Sequence, residues 1–170
     1  MRATIITSIF FAFIFVAGAA QSEQAPLPFL DLASTSPEFT VAPDFSGEAF
    51  KPGSVVVGSI YVTAPPGWHI YAPGVKKYRR LEMTSGDGPL IDVQFSYPPV
   101  KVMTLLGEEV PVYEGRVEII AQGIVAPDTI DGGYVWRPVI SWQGCAENIC
   151  LAPETRTLQI TIAVNDKEKR

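Results

Sequence analysis

The sequence is poor in the residues that build metal sites and nucleic-acid surfaces. It has one histidine and two cysteines in 170 residues, which argues against a site made from several of either. Basic residues number 13 against 18 acidic ones, and the formal net charge is −5 at pH 7. A nucleic-acid partner is therefore not expected, because such a partner calls for a basic excess. The sequence also lacks a glycine-rich phosphate loop, a serine nucleophile elbow and a pair of carboxylates spaced to indicate acid–base catalysis.

Long apolar runs are absent after the first twenty residues. Residues 1–20 start with Met1-Arg2, continue through an almost wholly apolar run and end in small residues. This pattern is typical of a secretory signal peptide with cleavage near Ala19 or Ala20. The apolar run is too short for a comfortable membrane span, so we expect membrane attachment only if the peptide stays uncleaved.

The remainder predicts one domain with short flanking segments. Residues 21–37 are rich in Pro, Ser and Ala, as in a linker, and residues 166–170 are a charged tail. The domain between them, at 38–165, shows no sustained helical periodicity free of glycine and proline. Seven or eight short runs there alternate apolar and polar residues between turn signals, which predicts an all-β, antiparallel β-sandwich.

Alternation also predicts which side chains face the core. The clearest strand runs are 54–63, 91–97, 113–121 and 156–164. The residues that the pattern places together on one face are Val56, Gly58, Ile60 and Val62 in the first run, Ile91, Val93, Phe95 and Tyr97 in the second, and, facing inward, Leu158, Ile160, Ile162 and Val164 in the last.

Cys145 and Cys150 are separated by four residues and lie between the last two long strands. A disulfide closing so short a loop contributes only roughly 2 kcal/mol in the chain-entropy model. A domain that buries its own core has little need of such a staple. We therefore interpret the pair as a working redox couple, in which one thiolate attacks and the other thiol resolves the mixed disulfide.

The surroundings of the cysteines leave the activation of a thiolate open. Glu147 lies between them and does not favour a thiolate, whereas a nearby cation would. Three residues elsewhere in the sequence are candidates to approach the pair in space: His69, Arg137 and Arg156.

Two other interpretations of the cysteines remain open. In the first, the protein is a non-enzymatic partner-binding module, and the bridge is permanent. In the second, the soft ligands of Cys145, Cys150, His69 and Met103 bind copper(I), although their spacing forms no recognised motif.

Two further segments bear on a site. Residues 76–80 form the only dense basic cluster, which is typical of a solvated strand edge and alternatively docks an acidic partner surface. Residues 103–107 form an apolar tip between proline-bounded strands. We favour a loop folded onto the core for this tip, with a cover or contact surface as the alternative.

The run from Trp142 to Cys150, followed by Pro153-Glu154-Thr155, resembles the active-site segment of the N-terminal periplasmic domain of DsbD, the thiol:disulfide interchange protein. The stretches at 67–71 and 105–116 agree with that family in the same order. The resemblance implies an immunoglobulin-like fold and a periplasmic thiol:disulfide oxidoreductase that transfers electrons without a bound cofactor or metal.

The resemblance also implies roles for individual residues. Cys150 would form the mixed disulfides and Cys145 would resolve them. His69 and Tyr71 would lie beside the cysteines, as the wall of the site or as groups that handle protons. A cap loop would shield the cysteines, formed by Met103, Thr104, Leu105, Leu106 and Gly107.

The sequence departs from the family pattern in three respects. The cysteines are one residue closer than in the best-known members, a leucine replaces the aromatic cap residue, and Met103-Thr104 replaces an acidic pair. No transmembrane or thioredoxin-like domain follows, so we expect this stand-alone chain to receive electrons from a separate membrane-embedded reductase. The expected recipients are periplasmic thioredoxin-like or other disulfide-containing proteins.

Overall fold

The computed structural model describes residues 37–166, apart from residues 46, 48 and 106. The predicted signal peptide, nearly all of the predicted linker and most of the charged tail lie outside these residues, so their boundaries stay predictions. In the described part the regular secondary structure consists of β-strands. No helix that could cross a membrane is found among these residues.

The described residues form thirteen strands, most of them short. In chain order they are β1 (Thr40–Asp44), β2 (Val55–Thr63), β3 (His69–Tyr71), β4 (Glu82–Asp87), β5 (Leu90–Ser96), β6 (Lys101–Leu105), β7 (Glu108–Glu114), β8 (Arg116–Val125), β9 (Gly132–Trp142), β10 (Gly144–Ala146), β11 (Ile149–Cys150), β12 (Glu154–Thr157) and β13 (Ile160–Val164).

These strands form three sheets, and every strand pairing in them is antiparallel. The first sheet has the order β1-β2-β8-β5, and the second has the order β11-β10-β3-β7-β6. In the third, β9 is central, with β4 on one side and β12 and β13 on the other. The predicted immunoglobulin-like antiparallel β-sandwich is confirmed, and the cysteines lie after β9 and before β12 and β13, as expected.

The core lies between the inward faces that the alternation predicts. Strand β8 buries every second residue, and β2 does the same except at the half-buried Gly58. From the opposite layer, β13 and the part of β9 from Trp136 onward alternate in the same way. Fully buried members of this core include Val56, Ile60, Ile119, Trp136, Ile140 and Ile162.

Strand β5 departs from the predicted alternation. Asp92 has a φ of 52° and lies at a bulge, where the pairing of β5 with β8 shifts register between Ile91 and Gln94. The bulge turns Ile91 outward, where it is exposed, and Leu90 is buried instead. The prediction that Ile91 shares the face of Val93 and Phe95 was therefore wrong, because strict alternation assumes an unbroken ladder.

The predicted strand at 156–164 is interrupted into β12 and β13, although both pair with β9 in one continuous register. The interruption lies opposite Pro138, whose carbonyl accepts a hydrogen bond from the Leu158 N–H at 2.9 Å. Proline has no N–H to return a bond to Leu158, so the ladder is broken at this position. The predicted inward face survives, since Leu158 and Ile160 are both buried.

Strand β3 of the second sheet lies between two apolar clusters, with the main core on one face and a smaller cluster on the other. Ile70 points into the main core, and Tyr71 belongs to a separate buried cluster with Val112 and Cys145. All three residues of β3 are therefore buried. This second cluster is where the cysteines lie.

Candidate functional site

Cys145 and Cys150 form a disulfide across a tight β-hairpin. Strands β10 and β11 pair with Cys145 opposite Cys150 and Ala146 opposite Ile149, so Glu147 and Asn148 form the turn. The sulfur atoms are 2.01 Å apart and the two Cα atoms 4.1 Å apart. The bridge therefore joins directly opposite residues of one hairpin and ties no distant parts of the fold together.

Two hydrogen bonds of Leu151, the residue after β11, hold the base of the hairpin. The Leu151 N–H donates to the Gly144 carbonyl at 2.9 Å, and the Gln143 side-chain amide donates to the Leu151 carbonyl at 2.9 Å. A Cβ added at Gly144 would lie 2.2 Å from the Phe39 ring. Glycine is thus required where the hairpin leaves β9, because the backbone passes directly over this aromatic side chain.

The pairing of four strands places a row of chemically active side chains across the second sheet. Cys150 is opposite Cys145, Cys145 is opposite His69, and His69 is opposite Glu114. Directly opposite residues of antiparallel strands point to the same face, with Cβ atoms about 4.5–5.5 Å apart. The sheet register therefore brings the only histidine of the sequence beside the disulfide.

The two cysteines differ in exposure. Cys145 is 1% exposed and packs with Tyr71 and Val112, whereas Cys150 is exposed. Both line a cavity of about 350 Å³. Its other lining residues are His69, Tyr71, Lys77, Tyr78, Leu105, Glu108, Val110, Ala146, Glu147, Asn148 and Ile149.

His69 and Tyr71 lie in the wall of this cavity, with ring centroids 5.4 Å apart. Burial lowers the pKa of His69, and the Glu114 carboxylate opposes this by a smaller amount. Burial raises the pKa of Tyr71, and the neighbouring Tyr78 raises it further. Both side chains are therefore held toward their neutral forms at pH 7.

The model of the family described as thiol:disulfide interchange protein DsbD, N-terminal, matches residues 40–162. The chain belongs to this family. The matched range includes the disulfide hairpin, the cavity wall and all strands except the last residues of β13. No curated protein sequence matches the chain.

Solved structures with a similar fold include members of the same family. The reduced DsbD N-terminal domain of Neisseria meningitidis is 15% identical, with 74% of this chain and 86% of that chain covered and a TM-score of 0.43. The N-terminal periplasmic domain of ScsB from Proteus mirabilis is 14% identical, with 81% and 49% covered and a TM-score of 0.48. A complex of the DsbD N-terminal and PilB N-terminal domains from Neisseria meningitidis gives 16% identity, 71% and 80% coverage and a TM-score of 0.41.

The predicted cap segment of this DsbD N-terminal family member is the end of a hairpin. Met103, Thr104 and Leu105 lie in β6, and Gly107 follows them at the turn with a φ of 82°. Met103 and Leu105 are half-buried against the cluster of Tyr71, Val112 and Cys145, and Leu105 also lines the cavity. The segment is folded onto the site and away from the main core; Leu106 lies outside the described residues.

The basic segment at 76–80 contributes two site residues that the sequence analysis missed. It lies in an irregular stretch between β3 and β4, not at a strand edge. Lys77 and Tyr78 line the cavity, and the Lys77 Nζ is 5.4 Å from the centre of the Tyr78 ring. The tyrosine inside this basic run was the sequence signal for packing. A segment that is only solvated gains nothing from an aromatic ring, whereas a packed segment buries one.

Neither arginine candidate lines the cavity with the cysteines. Arg156 lies over the Trp142 ring at 4.9 Å and forms an ion pair with Glu154 at 2.8 Å. Arg137 is on β9, opposite Asp87 of β4. Of the three predicted cation candidates, only His69 is placed beside the disulfide.

The copper hypothesis required Cys145, Cys150, His69 and Met103 to come together. The structure places all four around the same face of the second sheet, but the two sulfurs are bonded to each other and neither is a free thiolate. Within residues 37–166, as far as they are described, no three His, Cys, Asp or Glu side chains converge as a metal site. Copper binding stays a hypothesis about the reduced protein.

Proposed function

We propose that the protein carries out thiol–disulfide interchange through Cys145 and Cys150 and relays electrons to oxidised partner proteins. The observation that carries this proposal is the unequal exposure of the two cysteines beside an open cavity. Exchange requires in-line approach of a sulfur atom to one accessible member of the pair. Two thiols that carry two electrons between them need no bound cofactor for this reaction.

The exposure of the cysteines supports a fixed order of events. In the reduced protein the Cys150 thiolate attacks a partner disulfide, a new bond joins Cys150 to the partner, and the other partner sulfur leaves as a thiolate. Cys145 then attacks Cys150, re-forms the disulfide seen here and releases the partner in its reduced form. The opposite order would require a partner sulfur to reach Cys145, which is 1% exposed.

We further propose that residues 103–107 act as a cap and that His69 and Tyr71 form the inner wall of the site. Met103 and Leu105 pack on the cluster that contains Cys145, which supports the cap role. Their contacts are apolar side-chain contacts at the end of a hairpin, so a partner can displace them without breaking the core of the sandwich.

The proposed partners and compartment follow from membership in the DsbD N-terminal family together with the predicted signal peptide. We propose a periplasmic protein that accepts electrons from a separate membrane-embedded reductase. Its proposed recipients are thioredoxin-like or other disulfide-containing proteins of the same compartment. The solved complex of DsbD and PilB N-terminal domains shows one pairing made by a protein with a similar fold.

The order of attack can be tested with two single-cysteine variants. Reduced Cys145→Ser and Cys150→Ser proteins are each mixed with a thioredoxin that keeps only its attacking cysteine, activated with thionitrobenzoate. We expect Cys145→Ser to form a covalent complex, and Cys150→Ser to react on the order of 10-fold more slowly because its thiol is enclosed. Equal rates for the two variants, or faster reaction of Cys150→Ser, would refute the assignment.

A further inference from the structure

His69 carries a polar atom whose burial calls for an explanation. The residue is 3% exposed, and its Nε2 has no hydrogen-bond partner in the described part of the structure. An unpartnered buried polar group costs about 1–3 kcal/mol. A phenylalanine at this position would fill the wall without burying an unpaired ring nitrogen, so packing alone does not account for the imidazole.

The neighbours of His69 identify what the ring can act on. Cys145 lies directly opposite it on β10, Glu114 directly opposite it on β7, and the ring lines the cavity that holds the disulfide. The Glu114 carboxylate in turn forms an ion pair with Lys101 of β6. The register therefore sets the imidazole between a cysteine and a carboxylate, the combination of side chains with which a ring nitrogen can exchange a proton with a thiol.

Cys145 has a particular need for such a group. It is enclosed by Tyr71 and Val112, and a thiol in apolar surroundings resists becoming a thiolate. Yet the resolving step requires the thiolate, because the thiol is a poor nucleophile. Cys145 is 1% exposed, so bulk water has little direct access to its sulfur, and a basic group in the wall of the cavity can take the proton instead.

We propose that His69 accepts the proton of the Cys145 thiol when the mixed disulfide on Cys150 is resolved. The inference rests on the proposed interchange function. In this step the ring is the neutral tautomer that carries its proton on Nδ1, the Cys145 S–H proton moves to Nε2, and the resulting thiolate attacks the Cys150 sulfur. The bond between Cys150 and the partner breaks, the partner sulfur leaves with the electron pair, and the imidazolium later returns its proton to solvent.

The charges that face His69 are compatible with this role. Burial lowers the pKa of His69, which keeps the ring neutral and able to accept a proton at pH 7. Glu114 is the opposing influence and favours the imidazolium once it forms. Lys101 is joined to this group through its ion pair with Glu114. The other ionisable side chains that line the same cavity are Tyr71, Lys77, Tyr78, Glu108, Cys145, Glu147 and Cys150.

The resolving step can be observed alone with 5,5′-dithiobis(2-nitrobenzoate). Attack by Cys150 on this reagent releases the first thionitrobenzoate anion, and attack by Cys145 on the Cys150 adduct releases the second. We expect His69→Gln to slow the second release by about 100-fold at pH 7, the scale of general-base catalysis. The first release should be nearly unchanged, and added imidazole should partly restore the second in His69→Gly.

The pH profiles of the wild-type protein and of His69→Gln separate a proton acceptor from a structural residue. In the wild-type protein the second release should reach a plateau above the pKa of His69, whereas in His69→Gln it should rise about 10-fold per pH unit. A wild-type rate that climbs through pH 5–8 without a plateau, or a His69→Gln variant with the wild-type rate, overturns the inference. Absence of any second release in the wild-type protein would instead refute the interchange function itself.

Discussion

The rings of Tyr71 and Tyr78 stack face to face, with centroids 4.4 Å apart and planes 7° apart. This contact fixes the irregular basic segment against β3 and makes Tyr78 part of the wall of the disulfide cavity. It links two stretches that the sequence analysis treated separately, the short strand with His69 and Tyr71 and the cluster at 76–80. The access of a reductant to Cys150 should therefore depend on Tyr78.

Replacing Tyr78 with Ala should speed reduction of the disulfide by dithiothreitol. Loss of a stacked pair worth about 0.5–1.5 kcal/mol loosens this wall, so we expect the rate to rise about 2- to 10-fold. Tyr78→Phe keeps the stacked ring and should react at nearly the wild-type rate. Rates are measured by trapping thiols at timed intervals, and an Ala variant no faster than the Phe variant would show that Tyr78 does not restrict access.

Gly144→Ala should destabilise the oxidised protein because its Cβ would overlap the Phe39 ring. Overpacking of this kind costs about 1–3 kcal/mol in the free energy of unfolding. Gly133→Ala is the matched control, since nothing lies within 4 Å of a Cβ built at that position. In a Phe39→Leu background the cost of Gly144→Ala should shrink, as expected for residues in direct contact. Equal costs in the two backgrounds, measured by urea unfolding, would contradict the overlap.

Trp136 and Trp142 are both fully buried on β9 but differ in their indole N–H groups. Trp136 donates to the Ser85 carbonyl at 2.5 Å, whereas the Trp142 N–H has no partner in the described part of the structure. Trp136→Phe should therefore cost about 0.5–1.5 kcal/mol more than Trp142→Phe, because it removes a hydrogen bond whereas Trp142→Phe removes an N–H that has no partner. Urea unfolding of the two variants compares them directly, and an equal or larger cost for Trp142→Phe would contradict this account.

The stability of the oxidised protein should fall as the pH is lowered from 7.5 through 6.5. Burial makes the pKa of His69 lower in the folded protein than in the unfolded chain, so the unfolded chain binds more protons in this window. Carboxylates stay ionised in this pH range, so His69→Gln should remove the contribution of His69 to the pH dependence. Free energies of unfolding at pH 5.5–7.5 measure the difference between the two proteins. A variant that loses stability as steeply as the wild-type protein would show that His69 is not the group responsible.

Much of the scaffold could be predicted from the sequence because alternation reports burial directly. Val56, Ile60 and Ile162 are buried where the pattern places them. The exceptions have local backbone causes: the positive φ of Asp92 at a bulge, and Pro138 opposite Leu158. The alternation within each affected strand shows neither the left-handed conformation of Asp92 nor the pairing of Leu158 with a proline on the neighbouring strand.

The site was only partly predictable, since its arrangement depends on pairings between distant strands. The short spacing of Cys145 and Cys150 indicated a redox pair without any tertiary information. The position of His69 opposite Cys145 depends on the pairing of β3 with β10, which no local pattern encodes. The family resemblance supplied the expectation that His69 lies beside the cysteines, and the sheet register gives the placement its physical basis. Tyr78 was missed because its charged neighbours dominate the segment.

The proposed interchange requires Cys145 and Cys150 to be an exchanging pair and not a permanent bridge. The most direct test is the equilibrium reduction potential of this pair, measured by thiol trapping of the protein in graded glutathione buffers. We predict a potential between about −120 and −270 mV, the range of known exchange proteins. A potential below about −300 mV, where structural disulfides lie, would contradict the account and favour a non-enzymatic binding module.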